Sequence, residues 1–353
     1  MAQSGAGAEI TALAESMQAY ACATRQFLKK DLTTSSEITE KTIEYAKCDR
    51  TLDECIRGLN VNWFHSVVVT ANKIYKELTD GSYKYTFYRG GLVPEAVYAE
   101  FGRFRKGSGI TGNDKWNPAD IWMVKNGFEF IGGYATLDDY NKYMYDQFNA
   151  NNLMGISLKL VPKGDTHSKI FNNGKPLVAE YTGVKLGMNM FNSKDIYIQF
   201  TSDGKSGEIQ FRNFSSRAQP SSWQAEIKGK SAAGGKVGGG IVIQSALDND
   251  ISRTKLTIPS TFTSQITNPS KTTIKNFATM FKSLSGSKDT LANLINQTIV
   301  YAEEDPVWWM SKYLGVSFVY VVIKEKKQND VTKWLFSYGS SATKNSSIFI
   351  KYS

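Results

Sequence analysis

Histidine is almost missing from this chain: His65 and His167 are the only two in 353 residues. That scarcity excludes a metal centre built on HExxH or a similar His cluster. It also leaves a Ser-His-Asp hydrolase resting on one of two residues, neither of which sits in a nucleophile-elbow context. His65, in NVNWFHSVVV, reads as a satisfied core residue, and His167, in PKGDTHSK, as a loop residue. Cysteine is nearly as scarce. Cys22, Cys48 and Cys55 are odd in number and contain no CxxC, so neither a disulfide framework nor a Cys-based zinc site is expected, and the three read as small buried hydrophobes. Long apolar runs are missing as well: pieces such as Phe318 to Ile323 fall well short of the ~18 residues that a bilayer-spanning helix needs, and no membrane partner is expected. The opening MAQSGAGAEI has no basic segment followed by an apolar one, so a secreted product is not expected.

What is present is the composition of a folding chain, 41% hydrophobic, 12% aromatic and 21% charged. The net charge of +9 is unevenly spread: residues 1–200 carry 23 Lys+Arg against 22 Asp+Glu, and residues 201–353 carry 19 against 11. Basic surface concentrates phosphates without regard to sequence, so the C-terminal part points to a polyanion. The alternative for the same lysines is a solvated solubility face.

Apolar spacing predicts helices over about Ile10–Lys30, Thr39–Leu59 and Asn62–Leu78, then a strand in YKYTFYRG and a helix opened by Pro94. After the loop GSGITGNDKWNP come a strand from Ala119 to Val124, a helix capped by Thr136, and a strand from Leu153 to Val161, the alternation of an α/β core. DIYIQFTS, GEIQFRNFSS and WQAEIKGK read as further strands, GGKVGGG as a flexible loop, about Ser270–Tyr313 as helical, and VSFVYVVIKE, KWLFSYG and SSIFIKYS as closing strands. No internal repeat or Pro/Ser-rich linker appears. Three regions are expected within one interwoven body: N-terminal helices over 1–80, an α/β core with a β-rich extension over 81–247, and helices and strands over 248–353.

Asp120 stands one position into an apolar strand, where a carboxylate is costly unless a cation or donor meets it. On the next strand Ser157 and Lys159 share a face by the period of two. A carboxylate and a lysine on adjacent strands suit metal-dependent phosphodiester hydrolysis. There acidic groups hold Mg²⁺ and a lysine orients or activates the nucleophile, and no histidine is needed. The alternative for Asp120 is a structural carboxylate that caps a loop or pairs with Lys159.

KWNPADIWMV followed by MGISLKLV resembles the core of the PD-(D/E)xK, or restriction-endonuclease-like, nucleases over about residues 93–161. DKWNPADIW and GISLK, with WQAEIKGK, also resemble uncharacterised proteins of tailed bacteriophages. The resemblance implies a mixed-sheet α/β core, Asp120 as a metal-binding acid, Lys159 as the catalytic lysine, and Glu100 or Glu95 on the preceding helix as the accessory acid. The family's second acid is replaced by Ser157, a far weaker Mg²⁺ ligand. A second acidic-x-Lys triplet, Glu226-Ile227-Lys228, is either the true motif or the source of the missing carboxylate; its alternative is an exposed cross-strand pair.

GKSAAGGKVGGG lacks the Lys and Ser/Thr of a P-loop, so nucleotide hydrolysis is not expected. With Arg212, Arg217, Lys228, Lys230 and Lys236 it reads as a nucleic-acid clamp or as a plain flexible loop, and Ser157 joins the candidate nucleic-acid contacts. The aromatics of WNPADIWM, FEFIGGY and DPVWWMSKY read as core before base-stacking platforms. The expectation is a phage-encoded, Mg²⁺-dependent DNA nuclease in the host cytoplasm or virion. Its alternative is a catalytically inactive nucleic-acid-binding or virion-associated protein, partnered by copies of itself or by other particle proteins.

Overall fold

A computed structural model describes residues 4–79, 81, 84–174, 178–186, 191, 193–228, 233–240, 243 and 269–353. In chain order the elements begin with α1 (Ser4–Leu28), β1 (Ala46–Cys48), α2 (Leu52–Gly58), α3 (Val61–Leu78), β2 (Tyr85–Arg89), α4 (Leu92–Phe104), α5 (Asn113–Trp116), β3 (Ile121–Lys125), α6 (Leu137–Asn149), β4 (Leu153–Leu158) and β5 (Ser168–Phe171). They continue with β6 (Glu180–Lys185), β7 (Ile196–Ser202), β8 (Lys205–Asn213), β9 (Trp223–Lys228), β10 (Ala233–Gly239), α7 (Lys271–Ser285), α8 (Leu291–Glu304), α9 (Pro306–Lys324), α10 (Gln328–Gly339) and β11 (Phe349–Tyr352). The chain is α/β with a mixed sheet.

Two units form, one from residues 1–175 with 344–353 and the other from 176–343. This division differs from the three regions expected near residues 80 and 247. Its cause is β11, which pairs parallel with β4 and antiparallel with β5 and so carries the C-terminal residues into the first unit.

The first unit is a six-stranded sheet in the order β1-β2-β3-β4-β11-β5, antiparallel from β2 to β4. Alternation along β3 explains its unbroken apolar run: Ile121 and Met123 join a core with α1, α2 and α3, while Trp122 and Val124 join another with α4 and α6. One expected helix is not continuous. Between Thr39 and Leu59 lie a short 3-10 turn, β1 and α2, because Ala46–Cys48 pair parallel with Phe87–Arg89. The Thr51–Glu54 capping box then restarts the helix: the Thr51 amide donates to Glu54 Oε2 at 2.7 Å and the Glu54 amide to Thr51 Oγ1 at 3.3 Å.

The second unit is an antiparallel sheet, β10-β9-β8-β7-β6, whose Ile198, Phe211 and Ile227 share a core with α7 to α10. Two expected strands are helices here. VSFVYVVIKE lies in α9 up to Lys324, with Glu325 as the C-cap; the helix is started by Pro306 at its first turn and by Asp305 Oδ1, which accepts from Val307 and Trp308 amides at 2.9 Å. Burial on most sides removes the one-faced pattern that would have marked it. α9 is long and apolar enough to cross a membrane by those measures alone, and 67% of that window is buried within the unit. KWLFSYG belongs to α10, where Trp334 stacks on Tyr338 one turn away at 4.8 Å.

Candidate active site

The segment KWNPAD is fixed before any polar chemistry begins. Trp116, fully buried, stacks on Phe101 at 4.7 Å and Tyr140 at 5.2 Å. Asn117, also fully buried, donates from Nδ2 to the Ile348 carbonyl at 2.9 Å and accepts the Ala119 amide on Oδ1 at 3.2 Å. The Tyr98 hydroxyl donates toward the carbonyls of Asn117 at 3.1 Å and Ala119 at 3.3 Å. Gly155 of β4 leaves room for this loop, since a Cβ there would lie 2.8 Å from Asn117 Oδ1. The loop therefore delivers Asp120 to the start of β3 with little freedom.

Asp120 is held on both sides of its backbone. Its amide donates to the Ile156 carbonyl at 2.9 Å, and its Oδ2 accepts the Leu158 amide at 2.5 Å. Ser157 and Glu15 both act on the carboxylate to favour its charged form. Burial nonetheless raises the Asp120 pKa, opposed by the Leu158 amide and by the Lys159 charge. Lys159 follows the end of β4, where its amide donates to the Tyr352 carbonyl at 2.9 Å. Asp120 and Lys159 line one pocket of about 90 Å³, with Glu15 and Gln18 of α1 and Trp63 and Ser66 of α3. Ser66 Oγ accepts the Val161 amide at 3.0 Å, which ties the chain leaving β4 to that helix.

Glu15 is the acid that sequence reasoning missed. Its pKa is pushed up to about 7, first by burial and then by the neighbouring Asp120 charge, with Arg89 pulling the other way. Arg89 Nε donates to Glu15 Oε2 at 3.1 Å, and its guanidinium also reaches Asp49. The signal was one glutamate inside the small and apolar run ALAESM, on a helix read only for its packing face. Lys351 was missed for the same reason, as a lone lysine in the strand FIKY. It stands in register beside Ser157, and its pKa is pushed down to about 8 by burial and by Lys159, with Asp120 acting to raise it.

The other sequence candidates lie elsewhere. Glu100 accepts the Gly133 and Tyr134 amides at 3.0 and 2.9 Å and pairs with Arg103, so it anchors the loop before α6 and does not line the Asp120 pocket. Glu95 is exposed on α4. Glu226 and Lys228 are on β9 of the second unit, with Glu226 opposite Lys236 of β10 in register. Arg212 pairs with Asp195 at 3.5 Å, and Arg217 and Lys236 are exposed in that same unit. Lys230 lies outside the described residues. GGKVGGG is mainly strand β10 instead of a loop: a Cβ on Gly235 would sit 2.0 Å from the Gly339 carbonyl oxygen, so the glycine serves close packing on α10.

Among the described residues no three His, Cys, Asp or Glu side chains gather as a metal cage. Mg²⁺ asks for less, since one or two carboxylates completed by water and substrate phosphate commonly suffice. Glu15 and Asp120 supply two, and the repulsion by Asp120 that helps raise the Glu15 pKa is what a divalent cation would relieve. The donor set fits one such ion. Protein-family models, curated proteins and solved structures offer no match to this chain.

Proposed function

We propose that the chain is a Mg²⁺-dependent nuclease that hydrolyses phosphodiester bonds in DNA, with a restriction-endonuclease-like core in the first unit and a phage as its source. One observation carries this reading: a buried aspartate at the start of β3, a lysine just beyond β4 and a glutamate from α1 line a single pocket at the ends of two central strands of a mixed sheet. Glu15 and Asp120 would hold the ion, which when bound polarises a phosphoryl oxygen and acidifies bound water. Lys159 sets its ammonium beside the negative charge that builds on the phosphate. The Leu158 amide fixes the Asp120 carboxylate in one orientation. Arg89 does the same for Glu15.

The test is cleavage of plasmid and linear DNA by the full chain. Mg²⁺ should support cutting and EDTA should stop it. D120N and K159A should each lower the rate at least ~100-fold, the scale on which a single preorganised electrostatic contact acts, with melting temperatures close to wild type. Full activity in either variant sinks the assignment.

Ser157, buried at the position of the family's second acid, favours a second reading: a DNA-binding or virion-associated protein that keeps the arrangement without the chemistry. Salt-dependent binding with no cleavage by any divalent ion selects it. Many copies in purified particles would then identify a structural subunit of the virion.

A further inference from the structure

Trp63 differs from every other tryptophan of the chain. The others each lie against a second aromatic ring, as Trp116 does on Phe101 and Trp334 on Tyr338. Among the described residues no aromatic ring meets Trp63, and no acceptor meets its indole N–H. The side chain is half-buried: part of it packs on the core with α1 and α2, and it lines the pocket that holds Asp120 and Lys159. A large planar ring without a ring partner thus borders the candidate site.

The wall that carries Trp63 is fixed and almost uncharged. Asn60 Oδ1 accepts the Trp63 amide at 3.4 Å, which pins the start of α3, and Ser66 and Val67 follow on the same face at i+3 and i+4. Gln18 Nε2 donates to the Val67 carbonyl at 3.1 Å and locks that face to α1. Of the pocket residues supplied by α1 and α3, Glu15 alone is charged, and the pocket's one cation, Lys159, comes from the strand side. A phosphate is therefore met from the sheet, while the helices offer a ring and neutral groups, the chemistry that suits a base.

We propose that Trp63 is a stacking platform for a nucleobase of the DNA strand whose phosphate lies at Asp120 and Lys159, which makes the substrate of this site single-stranded DNA or an unpaired strand end. The inference rests on the nuclease reading for the identity of its ligand. Inside a duplex each base is covered by its stacked neighbours, so an indole reaches only a base that has left the stack. Every base has a π-face, so a platform of this kind selects for unpaired bases and not for sequence.

The experiment measures binding in EDTA, by fluorescence anisotropy, of a short oligothymidine and of its abasic counterpart with the same length and charge, for wild type, W63A and W63F. Wild type should bind the oligothymidine ~10-fold more tightly than the abasic strand, the scale of one stacked base. W63A should lose that preference by weakening on oligothymidine alone, with its salt slope unchanged because no phosphate contact is removed. W63F keeps a ring and should keep most of the preference. If W63A does not reach the wild-type melting temperature, W63L, which fills the space without a ring, replaces it. A folded ringless variant with the wild-type preference overturns the proposal, and so does wild type that binds both oligomers equally. Cleavage with Mg²⁺ separates the two ideas. Wild type that cuts duplex and single strands alike, with the ringless variant equal to it, removes the platform and leaves the nuclease standing. Wild type that never cuts, with a base preference that depends on Trp63, removes the nuclease and leaves Trp63 as the platform.

Discussion

Glu15 and Asp120 line one pocket and act on each other's protonation, joining the middle of the first helix to the start of a central strand. Two acids in such contact share one proton readily and two negative charges badly. Asp120 already accepts the Leu158 amide and is favoured in its charged form by Ser157 and Lys159, so it keeps its charge the more easily of the two, and Glu15 is the proton carrier.

A divalent ion should stabilise this pair. Adding Mg²⁺ near pH 8 should raise the melting temperature of wild type, by an amount corresponding to about 3 kcal/mol if the ion reaches ~100 times its dissociation constant. D120N should show no such rise. A thermal scan of both proteins with and without Mg²⁺ checks this, and an equal response in D120N would place the ion elsewhere.

Stability should fall with pH because of Glu15. Its folded pKa, about 7, lies above the ordinary 4.5, so the folded chain binds the proton more tightly than the unfolded one. The resulting stabilisation is fully present below pH 4.5 and is lost as pH rises through 7. E15Q donates a hydrogen bond at every pH and should be free of this loss. Its unfolding free energy relative to wild type should therefore climb by about 3 kcal/mol between pH 4.5 and pH 8. Urea denaturation of both proteins at the two pH values measures it, and a constant difference would contradict the contact.

Asn117 joins the KWNP loop to the strand that completes the sheet. N117A leaves the Ile348 carbonyl without its donor and the Ala119 amide without its acceptor, a cost of about 1–3 kcal/mol. The loss should concentrate at β11, so hydrogen exchange at residues 349–352 should accelerate more than exchange in β2.

Gly235 tests whether the glycine-rich segment packs or binds. G235A brings a methyl against a backbone carbonyl of α10, which cannot rotate away, so the second unit should lose on the order of 1–3 kcal/mol. Differential scanning calorimetry reads the shift. An unchanged transition would return the segment to the role of a mobile loop.

Much of the first unit was legible because its signals are local. Thr136 caps α6 as the sequence predicts, accepting the Asp139 amide at 3.1 Å, and β2, β3 and β4 stand where alternating or apolar runs place them. The Thr51–Glu54 capping box was also there to read, inside a stretch whose apolar spacing suggested one unbroken helix. α9 misled because β-branched residues in SFVYVVI favour strands when nothing else decides; the cap at Asp305 and burial within its unit decide for a helix. Asp120 and Lys159 were found because charge in an apolar strand is conspicuous. Glu15 and Lys351 escaped because only the register of α1 and β11 against that sheet brings them to it, and register between distant segments leaves no trace in spacing.

The position of β11 bears on how this protein is born. During translation the strands from β1 to β4 leave the ribosome first, the whole 176–343 unit follows, and only then does the FIKY segment emerge to fill the gap between β4 and β5. Until it does, a nascent chain has Asp120 and Lys159 but an open slot where Lys351 will stand, and the loop that aims Asp120 lacks the Ile348 carbonyl that secures Asn117. The loop that aims Asp120 is thus secured only after the whole 176–343 unit has been made.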